Sequence, residues 1–149
     1  MVKLVQGLYF FFGLVIFSFG ISVAIKVKYL GIHPWDVLNV ALFEKFGFTI
    51  GTWNIICGFT LVLISFIIDR RYINIGTFLN AVLVGSFVDF FLWSDILPNA
   101  THTWTDYVMI FFGILIMGIG GGLYNAAGIG SGPRDGFMLS ISDKTGWSI

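Results

Sequence analysis

The chain has 149 residues, of which 57% are hydrophobic, 18% aromatic and only 11% charged, against about 25% charged in an ordinary soluble domain. Eight Lys and Arg balance eight Asp and Glu, which excludes a basic face for nucleic acid and an acidic tail for a basic partner. Cys57 is the single cysteine, so an internal disulfide and a cysteine metal site are excluded, and it reads as a small packing residue.

Charge position marks membrane spans. Runs of 22, 23, 17 and 27 uncharged residues separate Lys3 from Lys26, Lys45 from Asp69, Arg71 from Asp89 and Asp106 from Arg134. A helix of about 20 apolar residues crosses about 30 Å of hydrocarbon, which predicts spans near 5–25, 49–68, 72–93 and 107–127. The first has a signal-like start, with Lys3 ahead of the apolar run and Ser22-Val23-Ala24 as a cleavage site. Its 22 uncharged residues exceed a signal core of about 7–15, and a matching segment recurs in the fourth span, so a retained span is the better reading.

The segment 34–46 follows, long enough for a short helix and too short to cross. Its apolar residues are interrupted by Asp36, Asn39, Glu44 and Lys45, while Pro34 opens it and Gly47 stops it, as at ordinary helix ends. It is predicted as a re-entrant or interfacial half-helix. Asp36 would sit in its first turn, where an acid caps free N–H groups and complements the helix dipole. The competing reading puts a cation, a proton or an amine on this carboxylate, because ionisable groups at membrane depth are functional suspects.

Asp69-Arg70-Arg71 joins the second and third spans by a short turn that the positive-inside rule places in the cytoplasm. The third span carries Asn80 and, near its end, Asp89, which fits a pathway residue and an interfacial one equally. The loop 94–105 holds no Lys or Arg and is assigned outside, with the N-terminus, Lys3, Arg134 and Lys144 inside. Lys26, Lys28 and Lys45 are the exceptions to this scheme. Trp93, Trp104 and Tyr107 suit an interfacial aromatic belt. The Gly-rich run from Met117 lacks the ending and spacing of a phosphate loop. Its small residues four apart, Gly118 with Gly122 and Ala126 with Gly130, predict close helix packing. A second reading makes the stretch before the next half-helix unwound and ligand-lining, since Gly128, Gly130 and Gly132 are poor helix formers. His33 and His102 are isolated, and neither a metal set nor a catalytic triad can be picked out by motif.

A second half-helix is predicted at 133–145, and it repeats the first. At an offset of 99, Pro34/Pro133, Asp36/Asp135, Lys45/Lys144, Gly47/Gly146 and Ile50/Ile149 are identical, and Thr49/Ser148 is conservative. At an offset of 100, FFGLVIFSFG from Phe11 matches FFGILIMGIG from Phe111. Trp35 is replaced by Arg134 in the second copy. Three true spans per unit would turn the second copy upside down, as in transporters built on inverted repeats with broken helices. The repeat units are 1–98 and an incomplete 99–149, which is the pattern of a truncated chain.

GIHPWDVLN at 31–39, GTWNIICG at 51–58, Asp69-Arg70-Arg71, IGTFLNAVLVGSFVD at 75–89 and GSGPRDG together resemble the bacterial YczE/YitT-type membrane protein family. The resemblance implies about six spans and a cell-membrane location, and brings with it no substrate and no catalytic residue. The expectation is therefore an all-α polytopic transmembrane helical bundle with inverted repeats. It acts as a small-solute permease or exporter, with Asp36, Asn39, Asp89, Arg134 and Asp135 as pathway candidates, no cofactor and no metal. The rival class is a non-transporting membrane scaffold or accessory subunit. Expected partners are the bilayer, a small-molecule or ionic solute, and either a second copy or another membrane protein.

Overall fold

The computed structural model describes residues 2–147; Ser148 and Ile149, which close the sequence repeat, lie outside the described residues. The described residues form six α-helices: α1 (Val2–Lys26), α2 (Pro34–Phe46), α3 (Ile50–Ile68), α4 (Ile75–Trp93), α5 (Trp104–Ala126) and α6 (Pro133–Thr145). Single 3-10 turns at Lys28–Leu30 and Arg70–Tyr72 link α1 to α2 and α3 to α4. Among the described residues every regular element is helical, and α1, α3, α4 and α5 are long and apolar enough to cross a membrane.

Local chemistry sets the boundaries. Pro34 and Pro133 occupy the first turns of the two short helices, and Gly47 and Gly146 end them with φ of 78° and 70°, a backbone region open to glycine. The third span starts at Ile75 and not at 72. Asp69 first caps the separate 3-10 turn by accepting from Arg71 N at 3.0 Å, and Asn74 with Thr77 then forms a capping box for α4.

The bundle is built around α1, which packs on both α5 and α4; α3 packs on α4, and both α2 and α6 lie along α3. Buried residues make up 56% of the α1 span and 17% of the α5 span, so α1 is central and α5 peripheral. The apolar side chains that α5 exposes, among them Phe111, Phe112 and Ile119, suit contact with lipid.

The α1–α5 crossing is a backbone contact made by glycine. A Cβ on Gly13 would fall 2.5 Å from Tyr124 N and 3.0 Å from Gly120 O. One on Gly20 would fall 2.7 Å from Met117 N and 2.9 Å from Gly113 O. The helices are therefore antiparallel, with Gly13 against Gly120 and Gly20 against Gly113. The expected pair Gly118 and Gly122 does not pack, because both face open space; the contact stripe runs through Gly113 and Gly120, seven residues apart.

The two short helices approach each other head to head. At the C-terminal end of α2, Gly47 O accepts from Trp53 Nε1 at 2.8 Å, in the first turn of α3. At the C-terminal end of α6, Asp143 pairs with Arg71 at 3.3 Å, beyond the last turn of α3. Their starts meet in between, beside Asn54 and Gly58 of α3.

The loop between α4 and α5 is pinned at the far end of α1. Lys26 Nζ donates to Asn99 at 2.9 Å and lies 3.8 Å from Asp95. Asp106, fully buried in the first turn of α5, accepts from Thr101 N, His102 N and the Tyr29 hydroxyl, the last at 2.6 Å. That hydrogen bond, chiefly, pushes the Tyr29 phenol up from 10.0 to about 12. The protonated phenol is the form the fold holds, so its contribution is complete below pH 10 and fades as pH rises through about 12. A difference absorbance titration of the protein against Tyr29→Phe should show one phenol ionising near pH 12. Ionisation near pH 10 contradicts the bond.

Candidate functional site

The polar residues where α2 and α6 meet form one connected cluster. Arg134 Nη2 donates to Asn54 Oδ1 at 2.6 Å and to Asp36 Oδ1 at 3.2 Å, and Asn39 Nδ2 donates to the same Asn54 oxygen at 3.2 Å. Asp36 and Asn39 are each 2% exposed; the three-residue step between them puts both on one face of α2. Beside them, the Tyr124 hydroxyl of α5 donates to Asp135 Oδ2 at 3.0 Å.

Asn54, Tyr124, Arg134 and Asp135 line a cavity of about 300 Å³ together with Trp35 and Asn80, and Phe17 and Met117 add apolar wall. Gly132 lets the polar groups come together. A Cβ there would lie 3.3 Å from both Asp135 Oδ2 and the Tyr124 hydroxyl, and 3.6 Å from Asn80 Nδ2. Asp36 Oδ2, Asn39 Oδ1 and Asn80 Nδ2 are buried and have no hydrogen-bond partner among the described residues. Buried polar groups are nearly always paired in folded proteins, so the unpartnered Asn80 Nδ2 on the cavity wall marks the cavity as a place where another group binds, while Asp36 and Asn39 lie behind the wall in the Arg134–Asn54 cluster.

The capping role expected of the two acids is not what they do. Pro34 has no N–H, Trp35 N donates to His33 Nδ1 at 3.4 Å, and Asp36 N and Val37 N donate to His33 O at 2.8 and 3.0 Å. The first turn of α2 is thus satisfied by His33, and Asp36 turns to the guanidinium, where both partners of the hydrogen bond are charged. Asp135 likewise makes no cap bond on α6 and holds the Tyr124 hydroxyl.

Of the five residues singled out by sequence, Asp36, Asn39, Arg134 and Asp135 come together here. Asp89 does not. Its carboxylate accepts from Thr49 Oγ1 at 2.5 Å and from Gly51 N at 2.7 Å, so it secures the start of α3 from the neighbouring helix α4. Asp89→Ala should lower stability by about 1 kcal/mol, as for loss of a helix cap, read as a fall in melting temperature in detergent. An unchanged melting temperature contradicts this role. Asn54 and Tyr124 were not singled out in the sequence, although Asn54 is a lone amide in an apolar span. Nothing in that pattern announces an arginine arriving from residue 134.

The sequence of residues 4–149 matches a family described as a family of unknown function, DUF6198. The chain belongs to this family. Over 142 residues it is 44% identical to an uncharacterized membrane protein, YczE, of Bacillus subtilis (strain 168), covering 95% of this chain and 65% of that protein. It is also 28% identical over 139 residues to an uncharacterized Bacillus subtilis protein, YyaS, covering 91% of this chain and 68% of the relative. The chain thus spans about two thirds of the length of these two relatives. No solved structure matches it. With a YczE-type relative and four helices able to cross a bilayer, it is a membrane protein.

Proposed function

We propose that this protein works as a small-solute permease or exporter of the bacterial cytoplasmic membrane, carrying its solute through the cavity at the junction of α2 and α6. The observation that carries this reading is the Asp36–Arg134–Asn54 cluster, an ion pair held between the facing starts of two short helices. Discontinuous helices that stop near the middle of the bilayer present their polar starts to substrate in known transporter architectures.

The same geometry supports an inverted repeat. Gly13 and Gly20 of the first unit correspond to Gly113 and Gly120 of the second, and each packs against the other's counterpart. Such reciprocal contact between antiparallel helices is the pattern of a two-fold axis perpendicular to both, hence parallel to the membrane plane. The short helices obey the same relation, ending at opposite ends of α3. The proposed orientation keeps the N-terminus, Arg70, Arg71 and Lys144 in the cytoplasm. Two of the three exceptional lysines are matched by acids on the opposite side, Lys26 by Asp95 and Lys28 by Glu44.

Proteoliposomes offered a broad panel of radiolabelled solutes test the reading. Flux of at least one solute is expected, abolished by Asp36→Asn and by Arg134→Gln. No flux across the panel, together with a stoichiometric membrane partner in pull-downs, would favour the scaffold instead.

A further inference from the structure

Carboxyl groups outnumber guanidinium groups around the cavity. Two carboxylates, Asp36 and Asp135, share the site with one guanidinium, and Arg134 directs its hydrogen bonds to Asp36 and Asn54. Asp135 lines the cavity wall with the Tyr124 hydroxyl as its hydrogen-bond donor and no ion pair among the described residues. His33, also on the wall, accepts the Trp35 N–H through Nδ1. The site therefore sets two acidic side chains against one guanidinium at membrane depth, where a carboxylate without an ion pair calls for a counterion.

Aromatic side chains share the lining with Asp135. Trp35, Phe17 and Tyr124 border the same cavity, and Phe17 and Tyr124 pack edge to face with centroids 5.5 Å apart. Aromatic faces beside a carboxylate attract alkylated ammonium groups, which are weakly hydrated and interact with the ring quadrupole. Asn80, 5% exposed, borders the cavity with its Nδ2 unpartnered, ready to donate to an acceptor elsewhere on the same molecule.

We infer that the ligand of this cavity is a small organic cation, an amine or quaternary ammonium. Its positive group sits between Asp135 and the rings, and Asn80 contacts a hydroxyl or carbonyl oxygen of the same molecule. An anion is disfavoured because Arg134 is already engaged and an added negative charge would join two carboxylates. The inference deepens the transport proposal and depends on it only for the ligand's passage across the membrane.

Binding and flux separate the two. The purified protein in lipid nanodiscs is titrated with radiolabelled tetraethylammonium by scintillation proximity. Saturable binding is expected, unchanged in Asp95→Asn and weakened by about tenfold or more in Asp135→Asn. Asp135→Glu should restore most of it, since it restores the charge. Should Asp135→Asn fail to elute as a monodisperse species, Trp35→Ala replaces it and should weaken binding while leaving the charge in place. Binding that is absent from the parent protein, or equal in the parent and both variants, overturns the organic-cation assignment even if other solutes cross the membrane. Binding without flux upholds that assignment and overturns the transport reading.

Discussion

Replacing Arg134 by Met is expected to destabilise the protein by about 3 kcal/mol, the low end for breaking a buried ion pair from one side. Asp36, 2% exposed, would keep a charge that nothing else in the cluster neutralises, and Asn54 Oδ1 would lose its shortest bond. The low end applies because the Arg134 side chain is 21% exposed. Removing both partners should hurt less than removing one. Asp36→Leu with Arg134→Met should recover much of the loss, because an apolar pair leaves no orphaned charge. Thermal unfolding followed by fluorescence-detected size exclusion, run as a double-mutant cycle, provides the comparison. If Arg134→Met alone shifts stability by less than about 0.5 kcal/mol, the pair does not exist as described.

The second large effect is expected at Gly120. An alanine Cβ there would fall onto Phe17 N and lie 2.8 Å from Gly13 O. Those atoms are backbone and cannot rotate aside, so α1 and α5 must separate. Overpacking of this kind costs about 3 kcal/mol, and the main interface of the central helix is the one that loosens. Gly118, two residues earlier on the same helix, faces open space, with no heavy atom within 4 Å of where an alanine Cβ would sit. Gly118→Ala should be neutral, or stabilising by up to about 1 kcal/mol through helix propensity. Measured side by side in detergent, Gly120→Ala should lower the melting temperature and Gly118→Ala should not. Equal effects would mean that α5 is rotated from the face described.

These two glycines show where the sequence was legible and where it was ambiguous. Uncharged runs bounded by Lys, Arg and Asp announce the spans, because charge is costly in hydrocarbon wherever the helices pack. Pro and Gly punctuate the short helices for reasons local to each end. Which glycines touch a neighbour is not local. The run from Met117 contains several four-residue spacings, and only the position of α1 selects among them. The internal repeat held the clue, since Gly13 and Gly20 recur as Gly113 and Gly120 while Gly118 and Gly122 have no glycine counterpart in the first copy. The polar cluster was half visible. Asp36 and Asp135 stand out by duplication, whereas Asn54 and Tyr124 acquire their roles only from side chains 80 and 11 residues away in sequence. Asp89 illustrates the converse, because a carboxylate late in a span looks the same whether it lines a pathway or holds the end of the next helix.

The opposed entry of α2 and α6 is the point on which the transport account turns. Its most direct test is accessibility labelling of single cysteines at the outer ends of the two helices, Phe46→Cys and Thr145→Cys, with Cys57 replaced by Ser. Both positions are exposed. A membrane-impermeant maleimide is applied to intact cells and to inverted vesicles. The account predicts that Phe46→Cys reacts only from outside and Thr145→Cys only from the cytoplasmic face. Reaction of both from the same face would contradict it.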